Sequence, residues 1–223
     1  SNSTLFAHHP GSLPGYETGA VTVVAGKYLR VEAGNGVIGW NADQIMSLIG
    51  NTVFTTNSAI LDIDLTSSGP FALTNVQDSF TLYLRGTNTL TMSGFNTNAT
   101  ATSTGSSQYG EVRVVNGASL TLANGSSNII GRTVVQPTSL GGTLTVDGPT
   151  RMEILYVGNG NGDRARVFIN DDLTLNGIIL AQNQIANGAV YQNNNSTVEI
   201  NPTGGDRLTL GHNGGYGYYR LNS

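Results

Sequence analysis

Asp62 and Asp64, two residues apart in AILDIDL (59–65), are the carboxylates whose spacing best suits chemistry. In an extended strand, positions i and i+2 share a face, which sets both acids on one side and Leu61, Ile63 and Leu65 on the other. Carboxylates held in that way can do acid/base work on a glycosidic bond or hold a divalent cation. The simpler expectation is the wet half of an alternating strand, because spacing alone establishes no perturbed environment. Asp171-Asp172 reads as part of a turn.

A calcium site is weighed at Asn159, Asn161 and Asp163 in GNGNGDRARV, which echoes the glycine-rich calcium nonapeptide of RTX proteins. Such sites need tandem copies that share each ion, and the second copy here has Tyr216 where the first has Asp163. Calcium is therefore not expected. Cysteine is absent, which removes thiolate catalysis, zinc–thiolate sites and disulfides together. His8, His9 and His212 lack neighbouring acids or cysteines, Trp40 stands alone, and GNGVIG (34–39) has no βα unit to make it a phosphate loop. No catalytic residue, metal or cofactor is assigned. A net charge of −4 with a single lysine, Lys27, offers no field for a phosphate backbone, so nucleic acid is not an expected partner.

The elements that would position any site are short and alternating. From residue 111 onward, EVRVVNG, ASLTLANG, GTLTVDG, EILYVGN, ARVFIN, DLTLNG, STVEIN and RLTLGH each have period 2 and are separated by Gly, Asn or Asp. The strand–turn–strand unit LYVGNGNGDRARVFI (155–169) recurs as LTLGHNGGYGYYRL (208–221), the mark of stacked coils, although a hairpin meander remains open. Asn at equivalent corners is expected to form amide ladders along the stack. In the first half, AVTVVAG, KYLRVEAG, AILDIDL, PFALTNV, SFTLYLRG and NTLTMSG read as strands. NADQIMSLIG (41–50) reads as a helix capped by Asn41 or Asp43, with Ile45, Leu48 and Ile49 on one face and Gly50 at its end. The expected fold is all-β: a right-handed parallel β-helix of eight to ten coils over residues 20–223, with a helical cap near 41–49. A polar loop is expected to project near 95–110, and residues 1–19 to form an extended arm.

The run GTLTVDGPTRMEILYVGNGNGDRARVFINDDLTLNG and its echo LTLGHNGGYGYY resemble the passenger repeats of bacterial autotransporter adhesins, over roughly residues 111–223. The resemblance implies export, a parallel β-helix, and adhesion or self-association; it brings no catalytic residue. Only 11% of residues are charged, so the surface is polar through Asn, Thr, Ser and Gly. No run is long and apolar enough for a membrane-spanning helix, and a leader peptide is expected to have been removed. The expected function is an extracellular structural or adhesive module at the bacterial cell surface. Its expected partners are copies of itself, with surface glycans as further candidates. Self-association is expected through the ends: Tyr216, Tyr218, Tyr219 and Arg220 at one, Leu5 and Phe6 at the other. The alternatives are a polysaccharide-degrading β-helix enzyme and a phage fibre, tailspike or capsid-decoration protein.

Overall fold

The computed structural model describes every residue except 1–2, 77–79, 97–109, 125–126, 137–140, 161, 184, 194, 202–206 and 223, and the side chain of Asp163. Its strands alternate between two sheets along the chain, so each pairs not with its sequence neighbour but with the strand one coil away. All of these pairings are parallel, as a coiling path requires. The front sheet has ten strands: Thr4–Ala7, Tyr28–Glu32, Ile60–Asp64, Thr81–Arg85, Glu111–Val114, Asn128–Val135, Thr150–Val157, Leu173–Leu180, and finally Val198–Ile200 and Leu208–Leu210, which pair with successive halves of Leu173–Leu180. The back sheet has seven, Phe71–Thr74, Thr89–Ser93, Ser119–Leu122, Thr143–Val146, Gly162–Ile169, Ala186–Gln192 and Tyr216–Leu221. Thr22–Val23 and Val53–Phe54 form a short third pair. The molecule is a parallel β-helix, and the hairpin meander is excluded.

Register follows from stacking like on like. In the back sheet Leu90, Leu120, Leu144, Val167 and Val190 form one inward column, each fully buried. In the front sheet the inward column runs Leu5, Leu29, Leu61, Leu82, Val112, Thr133, Leu155, Ile178, Leu208. A shift of one residue would turn such a column out to water, and at roughly 1.5–3 kcal/mol for each buried aliphatic side chain the register is firmly fixed. Thr133 is the exception: it is fully buried and its hydroxyl oxygen has no hydrogen-bond partner.

Corners use chemistry visible in the recurrent unit. The residue after Val157, Leu180 and Leu210 turns left-handed in three successive coils, as Gly158 (φ 82°), Ala181 (φ 55°) and Gly211 (φ 69°). Glycine takes that conformation freely, whereas alanine is strained in it. At another corner the expected amide ladder is present. Asn170 Nδ2 donates to Asp147 Oδ1 (2.5 Å), Asn193 Nδ2 to Asn170 Oδ1, and Asn222 Nδ2 to Asn193 Oδ1 (2.6 Å).

The helix spans Ala42–Asn51 and is capped by Asn41, whose Oδ1 accepts from Gln44 N while Gln44 Oε1 accepts from Asn41 N. Ile45, Leu48 and Ile49 are buried as the pattern predicts, but Gly50 lies inside the helix, which ends one residue later. It packs against Phe71–Thr74 and so covers the first edge of the back sheet. The front sheet extends past it. Residues 4–7 of the expected arm are the edge strand of that sheet, paired with Tyr28–Val31. The indole of Trp40, fully buried, donates to Ala7 O (2.8 Å) and pins this strand. Phe95, which opens the expected 95–110 loop, is a core residue whose N–H donates to Asn128 Oδ1; residues 97–109 lie outside the described residues.

Candidate functional site

Coiling sets Asp62 directly beside Arg30 in one neighbouring coil, and Asp64 beside Arg85 in the other. Asp62 accepts from both arginines: Arg30 Nε donates to Oδ2 (2.8 Å) and Arg85 Nε to Oδ1 (2.7 Å). Its side chain is fully covered although it lies on the outward face. Asp64 instead accepts from Thr66 N (3.0 Å) and closes a turn. The two acids thus share a face, as spacing predicts, but do not form an accessible acid/base pair; Asp62 is the centre of an ion-pair ladder.

The ladder continues along the front sheet. Arg113 Nε donates to Glu111 Oε1 and its guanidinium lies 5.3 Å from the Tyr83 ring centroid, while Arg132 lies over Tyr156 at 4.5 Å. Burial pushes the Tyr83 phenol up to about 12. Burial disfavours the Arg113 charge, but the hydrogen bond and field of the Glu111 carboxylate outweigh it and hold the guanidinium above its ordinary value. Each of these cations faces an anion or a ring within the protein.

The calcium candidate gains no support among the described residues. Asn159 lends its backbone oxygen to Gln136 Nε2 (3.2 Å), and Asn161 and the Asp163 side chain lie outside the described residues. No cluster of three or more His, Cys, Asp or Glu occurs among those described. Asp171 Oδ1 accepts from Asp172 N (2.7 Å), and Asp172 Oδ1 accepts from Thr197 N in the next coil (2.9 Å), which is turn chemistry. His8 reaches Glu32 (3.1 Å).

The residues expected at the ends divide into two groups. Leu5 begins the inward front column and Leu208 completes it; both are exposed, at 55% and 44%, whereas the seven members between them are at most 1% exposed. Leu210, at 51%, ends the neighbouring inward column. Tyr219 and Leu221 end the back-sheet columns; burial raises the Tyr219 phenol above its ordinary value, and its hydroxyl donates to Gln192 Oε1 (2.8 Å). Leu208, Leu210, Tyr219 and Leu221 lie on the last strands of the two sheets among the described residues, and Leu208, Leu210 and Leu221 escape notice in the sequence because they look like every other inward leucine. Phe6 points outward, stacked on His8 (3.8 Å) and near Arg30 (5.6 Å).

Tyr216, Tyr218 and Arg220 instead lie on the outer face of the back sheet. Three adjacent strands bring Arg166, Ala189 and Tyr218 into one row, and Phe168, Tyr191 and Arg220 into the next. Asn187 stands opposite Tyr216 in a third. The small Ala189 sits at the centre of this array of long side chains and leaves a depression of about 340 Å³ above it. Arg164 completes the rim from a bulge between Gly162 and Ala165, with φ 69°. Phe168 and Tyr191 stack at 5.3 Å, and Tyr218 leans on Tyr191 at 6.0 Å. No lining residue is acidic among the described residues. Among the described residues Arg164, Arg166 and Arg220 make no ion pair.

No helix of the described residues is long and apolar enough to cross a membrane. Compared with family models, curated proteins and solved structures, the chain matches none.

Proposed function

We propose that the protein is an extracellular structural and adhesive β-solenoid module that associates end to end with copies of itself to build a surface appendage, filament or layer. The observation that carries this reading is the front inward column. It is buried at seven levels, and its first and last members, Leu5 and Leu208, are exposed among the described residues. Placing Leu208–Leu210 of one copy beside Leu5–Ala7 of the next continues both inward columns in the same register, and the unpaired strand edges gain hydrogen-bond partners. The contact is heterologous, so repetition builds an open polymer unless the rotation per subunit closes a ring. An outer surface rich in Asn, Thr and Ser, the absence of cysteine and the resemblance to adhesin passenger repeats support the extracellular setting.

Light scattering across a concentration series tests the reading. Expected is a mass that rises with concentration in the wild-type protein and stays monomeric in Leu210→Lys, with the unfolding midpoint kept. A wild-type mass that is monomeric at every concentration would overturn it.

A further inference from the structure

We propose that the depression over Ala189 on the back sheet is a binding site for a carboxylate-bearing sugar. This supplies the adhesive part of the proposed function with a ligand class, and it rests on that reading only for the setting in which such sugars are met. The depression opens on the outer face of the back sheet, whereas the contact proposed above uses the inward residues of the front sheet, although Tyr216 and Tyr218 of its lining belong to the terminal strand of the back sheet.

Three features select the ligand. First, charge: Arg164 and Arg166 rim the depression with no acid in its lining among the described residues, whereas Arg30, Arg85 and Arg113 on the front sheet each bind a carboxylate of the protein itself. A guanidinium fork with no ion pair among the described residues matches a carboxylate, and Arg164 sits at the rim from a bulge where its backbone is left-handed. Second, the walls: Tyr191, Tyr216 and Tyr218 combine ring surface for the C–H face of a pyranose with phenolic groups for its hydroxyls, and Asn187 adds an amide. Third, the floor: the strand that carries Ala189, Ala186–Gln192, is paired on both sides, so a ligand seated over it meets side chains alone. An extended peptide would instead add a strand to the edge of Tyr216–Leu221, the terminal strand of the back sheet, and so lie outside the depression. The volume lies within the range of small-molecule sites.

Calorimetric titration of the full chain with trigalacturonate and 3′-sialyllactose, each against its neutral counterpart, galactotriose or lactose, tests the proposal. Expected is binding of at least one acidic probe about tenfold or more tighter than its neutral partner, weakening as salt is raised, as a charge-assisted contact requires. The stronger of the two acidic probes distinguishes a uronic from a sialic acid. Ala189→Trp, which fills the depression, and Arg166→Ala, which opens its rim, are each expected to weaken that binding about tenfold with an unchanged unfolding midpoint. Repeating the titration in Leu210→Lys separates the two proposals, since a lateral site keeps its affinity in the monomer. Equal binding of neutral and acidic probes, no binding of either acidic probe, or full affinity in both Ala189→Trp and Arg166→Ala would overturn it.

Discussion

The protein has two arginine-rich surfaces that do opposite things. On the front sheet, Arg30 and Arg85 grip the two oxygens of Asp62, and Arg113 grips Glu111, with tyrosine rings over or beside the cations. On the back sheet, Arg164, Arg166 and Arg220 stand exposed around an alanine, with aromatic neighbours and no acidic partner among the described residues. The residue types are the same, and what differs is the partner within reach: Asp62 lies opposite Arg30 one coil away and Glu111 two residues from Arg113 on its own strand, whereas Arg166 lies opposite Ala189. An acid within reach turns arginine into scaffold; an alanine there leaves it available.

That contrast is sharpest in stability. Asp62→Asn leaves two guanidiniums facing a neutral amide and is expected to lower the unfolding free energy by about 2–4 kcal/mol in denaturant titration. Breaking a fully buried pair costs more, about 3–5 kcal/mol, but Arg30 and Arg85 keep 26% and 23% of their side-chain surface in solvent. Arg166→Ala is expected to stay within about 0.5 kcal/mol of wild type in the same titration. Comparable losses in the two variants would erase the distinction between a closed and an open surface.

The closed surface is also expected to respond to alkali. The Tyr83 phenol is pushed up to about 12 in the folded protein by burial, against an ordinary value of 10.0, so folding favours its protonated form. The stabilising contribution is present in full below pH 10 and is lost as pH rises from there through 12. Denaturation midpoints measured across that window should fall less steeply in Tyr83→Phe than in wild type; an identical slope would place the phenol in solvent. A further small effect has the opposite sign. Thr133→Val replaces a buried hydroxyl that lacks a partner with a methyl of the same shape, and a gain of about 0.5–1 kcal/mol in unfolding free energy is expected.

The strands, the coil path and the amide ladder are legible in the sequence, because period-2 runs with Gly or Asn at each corner describe a coil locally. The helix is legible too, through Asn41 and its apolar face, apart from its passage through Gly50. What is not legible along the chain is which residues meet between coils. Asp62 reads as a solvated acid until ILDID is laid between YLRVE and TLYLR, which brings Arg30 and Arg85 to it. The step between coils is 23 residues where Thr143, Arg166 and Ala189 align, but the helix lengthens the step from Tyr28 to Ile60, so no constant period reveals those partners. Ala189 carries no signal of its own, since a small residue defines a site only through the long ones that coiling sets around it. Residues 4–7 look like an arm because their partner lies 24 residues later, from Thr4 to Tyr28.

End-to-end association is tested most directly by complementation. In a heterologous contact, Leu5→Lys blocks one end and Leu210→Lys the other, and each variant alone is left with two surfaces that cannot pair. Mixed together, the open end of one meets the open end of the other. Sedimentation velocity is expected to show a monomer for each variant alone and a dimer, with no higher species, for the equimolar mixture. A mixture that sediments as monomer while the wild-type protein associates would contradict this contact and place the interface elsewhere on the molecule.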